Sequence, residues 1–121
     1  MTTATICVVG LGYIGLPTAA MLANRGCRVI GLEVNPAVID AINRGDTHIV
    51  EPDLDAAVRD AVAAERLTAT ATAPEADTYV IAVPTPFKDA HQPDLRFVEQ
   101  AARTIAPRLR SGNLVVLEST S

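Results

Sequence analysis

Three closely spaced glycines lie near the start of the chain, where they could bring the backbone close to a ligand. They are Gly10, Gly12 and Gly15 in the pattern G-x-G-x-x-G, which follows an apolar segment and opens a helical one. In that setting the first glycine permits a tight turn, the second admits a pyrophosphate against the backbone, and the third lets the helix lie close to the strand. Free N–H groups and the dipole at the helix start favour the phosphates. The pattern therefore predicts a dinucleotide-binding loop.

A carboxylate at the end of the next predicted strand fits the same ligand. Glu33 lies 18 residues after Gly15. At that place a carboxylate accepts hydrogen bonds from the adenosine ribose hydroxyls and repels a 2′-phosphate. The two features together favour NAD over NADP as the cofactor.

Two threonines lie where open α/β sheets bind ligands. Thr85 and Thr120 each follow a predicted strand, and those strands flank the point where the strand order reverses. Pro84 and Pro86 restrict the backbone around Thr85. Both hydroxyls are candidates to contact cofactor or substrate. The alternatives stay open: Thr85 as a turn residue bonded to its own backbone, and Thr120 without a role at a frayed end.

The other reactive side chains lack a catalytic or metal-binding spacing. Cys7 and Cys27 lie in or beside apolar segments, which predicts small core residues and a reducing compartment. His48 and His91 lie in separate loops without neighbouring ligands. The sequence predicts no metal site and no Ser/His/Asp or Cys/His set.

The composition is that of one globular domain without a polyanionic partner. The chain has 121 residues, 49% of them hydrophobic and 20% charged, with a net charge of -4. Its 10 cationic side chains are spread singly, which disfavours nucleic acid as a partner. No basic region opens the chain as in a signal peptide, and no apolar run reaches the roughly 18 residues of a membrane helix. We therefore expect a cytoplasmic protein without membrane contact.

Short apolar runs alternate with helical segments along the chain. Strands are predicted over 5–9, 28–33, 67–72, 78–83 and 114–118, and helices over 14–25, 36–45, 53–65 and 94–109. Asn35, Asp53 and Asp94 are the predicted helix caps. Apolar strands joined by right-handed crossovers predict an α/β fold, a Rossmann-type doubly wound parallel sheet with strand order 3-2-1-4-5. We expect a single domain over 1–121.

The last predicted strand leads to an expectation about the whole protein. Leu114–Leu117 is apolar on both faces, yet little chain follows it. Such a strand would leave an exposed sheet edge. We therefore expect these residues to be the amino-terminal part of a longer chain.

Four segments, distributed along nearly the whole chain, resemble the UDP-glucose/GDP-mannose dehydrogenase family. They are G-L-G-Y-I-G-L-P at 10–17, H-I-V-E-P-D-L at 48–54, V-P-T-P-F at 83–87 and E-S-T at 118–120. The resemblance implies oxidation of a sugar C6 alcohol to a carboxylate, through an aldehyde and a cysteine-bound thioester, with reduction of two NAD⁺. The motifs are most similar to those of enzymes that oxidise UDP-N-acetyl-D-mannosamine, with UDP-glucose and GDP-mannose as alternatives.

The resemblance also implies roles for individual residues. Tyr13 and Ile14 would line the pyrophosphate, and Glu33 would hold the adenosine ribose, although aspartate is more usual at that place. Thr85 would contact NAD. Thr120 matches a threonine that helps to position a catalytic water near the reacting carbon.

The family's other functional parts have no counterpart in these residues. The nucleophilic cysteine, a lysine and a long dimer helix lie further along such chains, and neither Cys7 nor Cys27 matches the nucleophile. The resemblance therefore implies a fragment that binds NAD and does no chemistry. It implies that the full-length protein is a homodimer that acts on a UDP-sugar.

Two other classes share part of this pattern. β-Hydroxyacid dehydrogenases begin with a similar glycine loop, but they often carry Asn-Arg at the end of the second strand to bind NADP. A non-enzymic NAD-sensing module would fit the length of 121 residues. Glu33 and the Pro-Thr-Pro segment argue against the first class, and the apolar last strand argues against the second.

Overall fold

The strands form one parallel sheet in which the first strand lies at the centre. The computed structural model describes residues 4–84, 87–88 and 92–118. The sheet strands are β1 (Thr5–Val9), β2 (Arg28–Leu32), β3 (Leu67–Thr70), β4 (Thr78–Ile81) and β5 (Leu114–Leu117). They lie in the order β3-β2-β1-β4-β5, and every neighbouring pair is parallel. The predicted order 3-2-1-4-5 is confirmed.

Helices cover both faces of this sheet. They are α1 (Gly15–Asn24), α2 (Pro36–Asn43), α3 (Leu54–Ala63) and α4 (Arg96–Ile105). Leu16, Ile42 and Val58 of the first three helices share one core with Val8 and Val80 of the sheet. On the other face, α4 buries Ala101 and Ile105 against Cys7, Tyr79 and Ile81. The predicted doubly wound architecture is therefore confirmed.

Local sequence signals explain where several of these elements begin and end. The Asn35 side chain accepts a hydrogen bond from Ala37 N at 3.0 Å, and Pro36 occupies the first turn of α2, where its missing N–H costs least. Gly26 ends α1 with a φ of 103°, a conformation that favours glycine. The caps predicted at these places are confirmed.

Of the two other predicted caps, Asp53 occupies the cap position of α3 without a capping bond, and Asp94 does not occupy the cap position of α4. Asp53 precedes α3, but its φ is 67° and its side chain makes no capping bond. Asp94 lies one residue before the cap position Leu95; it is buried, and its carboxylate accepts from Arg96 N at 3.1 Å and from the Arg96 guanidinium. The α-helix ends at Ile105 rather than near Leu109, because Pro107 cannot donate a helical hydrogen bond, and a 3₁₀ turn (Ala106–Arg108) follows.

The structure also contains features that the sequence pattern did not predict. Phe87–Lys88 pairs with Gln92–Pro93 in an antiparallel hairpin. Strands β3 and β4 end at Thr70 and Ile81, before the predicted bounds. Within the described residues, no helix is long and apolar enough to cross a membrane.

The outer strand β5 is exposed along its whole length. Leu114, Val115, Val116 and Leu117 are 58%, 44%, 39% and 53% exposed. In the register of the sheet, Val116 pairs with Val80 and Val115 with Tyr79, so β5 presents apolar side chains on both faces. The predicted apolar edge is confirmed.

Candidate cofactor-binding site

Two of the three loop glycines allow the chain to pack tightly at the strand ends. Gly10 has a φ of 95°, and a Cβ at this position would lie 2.8 Å from Ala82 O. A Cβ on Gly15 would overlap Gly10 O. Gly10 N also donates to Leu32 O at 2.9 Å. These contacts draw the loop and the start of α1 against the carboxyl ends of β1, β2 and β4.

Gly12 differs because the space beside it is open. A Cβ on Gly12 would meet nothing within 4 Å. Leu16 N donates back to Gly12 O at 3.0 Å, so the N–H groups before Leu16 precede the hydrogen-bonded ladder of α1. Tyr13 is 70% exposed beside this space, whereas Ile14 packs against the core. The open side of the loop can therefore admit a diphosphate against the backbone.

Glu33 connects the end of β2 to the glycine loop. Its Oε1 accepts a hydrogen bond from Leu11 N at 3.1 Å. Its Oε2 accepts from Val34 N and Asn35 N, each at 3.0 Å. A carboxylate has about four acceptor positions, so Glu33 can still accept from a ribose hydroxyl.

Two cavities meet at the glycine loop and form one groove across the carboxyl ends of the strands. Gly10, Glu33, Val83 and Pro84 line both of them. One cavity, of about 420 Å³, is mostly apolar and extends toward α4; its other lining residues include Val9, Leu32, Val34, Phe97 and Ala101. The other extends toward β5 and includes Gly12, Tyr13, Ile14, Ala82 and Glu118. The apolar cavity can accept a planar base.

Glu118 is a groove residue that sequence reasoning missed as a site. It follows β5, and Thr18 Oγ1 on α1 lies 3.0 Å from each of its carboxylate oxygens. Sequence reasoning used Glu118 only as part of the E-S-T segment. A contact between residues 18 and 118 leaves no local signal in the chain.

The structure describes only some of the other residues that the sequence singled out. Thr85, Thr120 and His91 lie outside the described residues, so their roles stay predictions. His48 is exposed. Cys7 is fully buried, and burial raises the pKa of its thiol to about 12, so it stays protonated. The described residues contain no group of three potential metal ligands.

Another cavity lies away from the strand ends. It has a volume of about 400 Å³ and is lined mainly by polar side chains of α2, α3 and the loop between them, including Arg44, Asp46, Asp55 and Arg59. Arg44 and Asp46 form an ion pair across 3.5 Å between exposed side chains. Such a pair contributes little to stability. The glycine loop does not line this cavity, so it is not part of the groove.

The chain matches the NAD-binding domain of a known family over residues 4–121. The chain belongs to the UDP-glucose/GDP-mannose dehydrogenase family. NAD is accordingly the cofactor of this domain, and the open glycine loop and the apolar cavity fit it. Family membership favours the nucleotide-sugar dehydrogenases over β-hydroxyacid dehydrogenases and NAD-sensing modules.

Similar proteins agree with this assignment. A UDP-N-acetyl-D-mannosamine dehydrogenase from Escherichia coli (strain K12) is 59% identical over the whole chain, which spans 29% of that protein. An NDP-N-acetyl-D-galactosaminuronic acid dehydrogenase from Ralstonia nicotianae is 61% identical over 97% of the chain and 28% of that protein. The structure of a Staphylococcus aureus UDP-N-acetyl-mannosamine dehydrogenase matches with a TM-score of 0.93 and 38% identity, over 97% of this chain and 29% of that one. The chain thus spans less than a third of these relatives.

Proposed function

We propose that this chain is the cofactor-binding domain of a nucleotide-sugar 6-dehydrogenase that oxidises UDP-N-acetyl-D-mannosamine to the uronate. Two NAD⁺ are reduced in each turnover. The observation that carries the proposal is the groove across the carboxyl ends of the strands, in which an open glycine loop adjoins Glu33 and an apolar cavity. The 59% identity, over the whole chain, with an Escherichia coli enzyme named for UDP-N-acetyl-D-mannosamine supports the sugar.

NAD binds along the groove in one direction. The pyrophosphate lies against the backbone at Gly12, Tyr13 and Ile14, where no side chain fills the space of Gly12. The adenosine ribose lies beside Glu33, and the adenine enters the apolar cavity against Phe97. Gly10 and Gly15 contribute by fixing the loop rather than by touching the ligand.

The two threonines complete the proposed site from outside the described residues. Thr85 contacts the cofactor after β4. Thr120 lies near the reacting carbon and helps to position the catalytic water. The sugar pocket and the cysteine nucleophile belong to the remainder of a longer chain, which supplies the chemistry.

A second sugar has support from one comparison. The relative from Ralstonia nicotianae, which is 61% identical, is named for an N-acetyl-galactosaminuronic acid. Both relatives are thus named for N-acetylated sugars, and UDP-N-acetyl-D-galactosamine is the second candidate. UDP-glucose and GDP-mannose follow them.

The compartment and the oligomeric state of the full-length protein are also proposals. The described cysteines Cys7 and Cys27 are free thiols, which suits the reducing cytoplasm. We infer that the full-length enzyme is a homodimer that acts there, without nucleic acid or membrane as partner, to supply uronates for polysaccharide biosynthesis. Light scattering and activity of the full-length enzyme test these points.

Cofactor choice tests the groove. NAD should bind more tightly than NADP by roughly tenfold to a hundredfold, because the Glu33 carboxylate meets a 2′-phosphate unfavourably. Glu33→Gln should reduce that preference because it removes the charge; the amide keeps one oxygen to accept from the backbone N–H groups, and thermal denaturation checks that the variant is folded. Titration calorimetry with both cofactors measures it, and equal affinities in the unaltered protein would overturn the role of Glu33.

A substrate panel tests the sugar. The full-length enzyme is given each of the four nucleotide sugars, and NADH is followed by absorbance. UDP-N-acetyl-D-mannosamine should give the highest kcat/KM, with two NADH formed per sugar. A higher value with another sugar overturns this choice of substrate but leaves the cofactor assignment in place.

A further inference from the structure

Glu118 brings a carboxylate to the side of the groove away from the adenine cavity. It lines the same cavity as Gly12 and Tyr13. Glu118 N donates to Ile81 O at 2.9 Å, and the Thr18 hydroxyl lies 3.0 Å from both carboxylate oxygens. Two elements therefore hold the residue: its backbone N–H is bonded to β4, and its side chain is bonded to α1.

The sheet indicates which part of the cofactor comes near Glu118. A dinucleotide on a glycine loop lies across the point where the strand order reverses, with its two nucleosides on opposite sides. Glu33 and the apolar cavity receive the adenosine on the β2 side. The nicotinamide nucleoside must then extend over the ends of β4 and β5, which is the side of Glu118.

The nicotinamide ring changes its charge during the reaction. It is positive in NAD⁺ and neutral in NADH. Glu33 and Glu118 are the only charged side chains among the described residues that line this cavity. Glu33 faces three backbone N–H groups, whereas Glu118 is bonded by a neutral hydroxyl. The charge of Glu118 is therefore available to attract a positive ring.

We propose that Glu118, positioned by Thr18, makes the groove bind NAD⁺ in preference to NADH. The proposal rests on the NAD-binding function and adds to it a preference for one redox state. Once hydride transfer has made the ring neutral, this attraction is lost and the reduced cofactor leaves more readily. An enzyme that reduces two NAD⁺ on one sugar must exchange NADH for NAD⁺ between the oxidations, and the preference serves that exchange.

The test compares the affinities for the two redox states in purified protein. In Glu118→Gln the amide oxygen can still accept from Thr18, but the charge is gone. We expect the Kd for NAD⁺ to rise about fivefold and that for NADH to change less than about twofold, because the lost attraction acts only on the positive ring. Thr18→Val should cause a smaller loss of the same preference.

A matched control removes an equal charge far from the groove. Glu75 lies before β4, at the amino end of the strands, where Arg110 Nη1 is 3.4 Å from its carboxylate. Glu75→Gln should leave both affinities unchanged. A preference lost equally in this variant would mean that net charge, and not Glu118, is responsible, and would overturn the proposal.

The other outcomes are also decisive. Equal weakening of NAD⁺ and NADH by Glu118→Gln would indicate a structural role only, and no change in NAD⁺ binding would exclude the contact; either result overturns the proposal. If the variant does not fold, as judged by its thermal transition, a salt series on the unaltered protein decides, because the preference for NAD⁺ must fall as salt screens the charge. An unaltered protein that binds neither cofactor would instead refute the proposed function.

Discussion

The two edges of the sheet differ in how their backbone groups and side chains are covered. On β3, the Asn43 side chain donates to Ala69 O at 3.0 Å and accepts from Ala69 N at 2.9 Å, so one amide replaces the hydrogen bonds of a further strand. Leu67 and Ala69 are buried there. On β5 all four side chains are exposed, and no described strand lies on its outer side. One edge is closed within the chain, and the other is open.

The difference matches the two sides of the groove. The adenosine side, toward the closed edge, has a lined apolar cavity and a carboxylate bonded by three N–H groups. The side toward the open edge has Glu118 and Thr18, while Thr85 and Thr120 lie outside the described residues. The described residues thus form a lined apolar pocket on the side of the closed edge, and on the side of the open edge they provide one carboxylate and one hydroxyl.

The largest expected effect comes from a change at Gly12, which lies between the two sides of the groove. Gly12→Val places a branched side chain in the open space of the loop, and we expect NAD binding to weaken at least about a hundredfold, or ~2.7 kcal/mol. The thermal midpoint should shift by only a few degrees, because the fold needs nothing from that space. Calorimetry and thermal denaturation with and without NAD measure both quantities.

A neighbouring glycine provides the control for Gly12. Gly15→Ala should lower stability itself, since the added Cβ would overlap Gly10 O. If NAD still protects the Gly12→Val protein against heat, the pyrophosphate does not lie at this loop.

The next effect tests the closed edge. Asn43→Leu leaves Ala69 N and Ala69 O without their partner, and we expect the free energy of unfolding to fall by about 2 kcal/mol. Asn43→Asp keeps an acceptor for Ala69 N but loses the donor to Ala69 O. Its free energy of unfolding should therefore lie between those of Asn43→Leu and the unaltered protein. Denaturant unfolding gives both values. Unchanged stability in Asn43→Leu would mean that water replaces the amide at no cost.

The smallest effect concerns the open edge. We expect the chain to self-associate through β5, and Val116→Lys to weaken that association by roughly tenfold, because a charged side chain blocks pairing at an edge. Thr68→Lys is the matched change on β3 and should alter nothing, since Thr68 is already exposed on the closed side. Light scattering over a concentration series measures the association. A monomer at high concentration in the unaltered protein contradicts the prediction.

The fold could be predicted from local patterns because four of the five sheet strands are short, largely apolar runs between turn or helix signals, and β3 (Leu67–Thr70), which alternates threonine with apolar residues, lies between two such signals. Thr5–Val9, followed directly by the glycine loop, is enough to place the central strand and the start of α1. The residues that cap the helices could be predicted less accurately. Asp94 has the residue type of a cap, yet its carboxylate is engaged by the Arg96 side chain as well as by its N–H, and the hydrogen bond raises the pKa of Arg96 above its usual range.

The candidate site could be predicted only where its residues are close in sequence. The glycines and Glu33 follow a spacing set by one strand, one helix and the next strand. The Thr18–Glu118 contact depends on how β5 is placed beside β4, and the Asn43 contact on how α2 packs over β3. Side-chain hydrogen bonds of this kind come from the tertiary fold, so the sequence pattern does not indicate them.

The bond between Glu33 and Leu11 also has a kinetic consequence. The glycine loop is tied to β2 by this carboxylate before any ligand is bound. The conformational entropy of the loop is therefore lost when the chain folds and not when the cofactor binds. We therefore expect association without a separate step that orders the glycine loop, and differences in affinity among cofactors that arise mainly from their rates of dissociation.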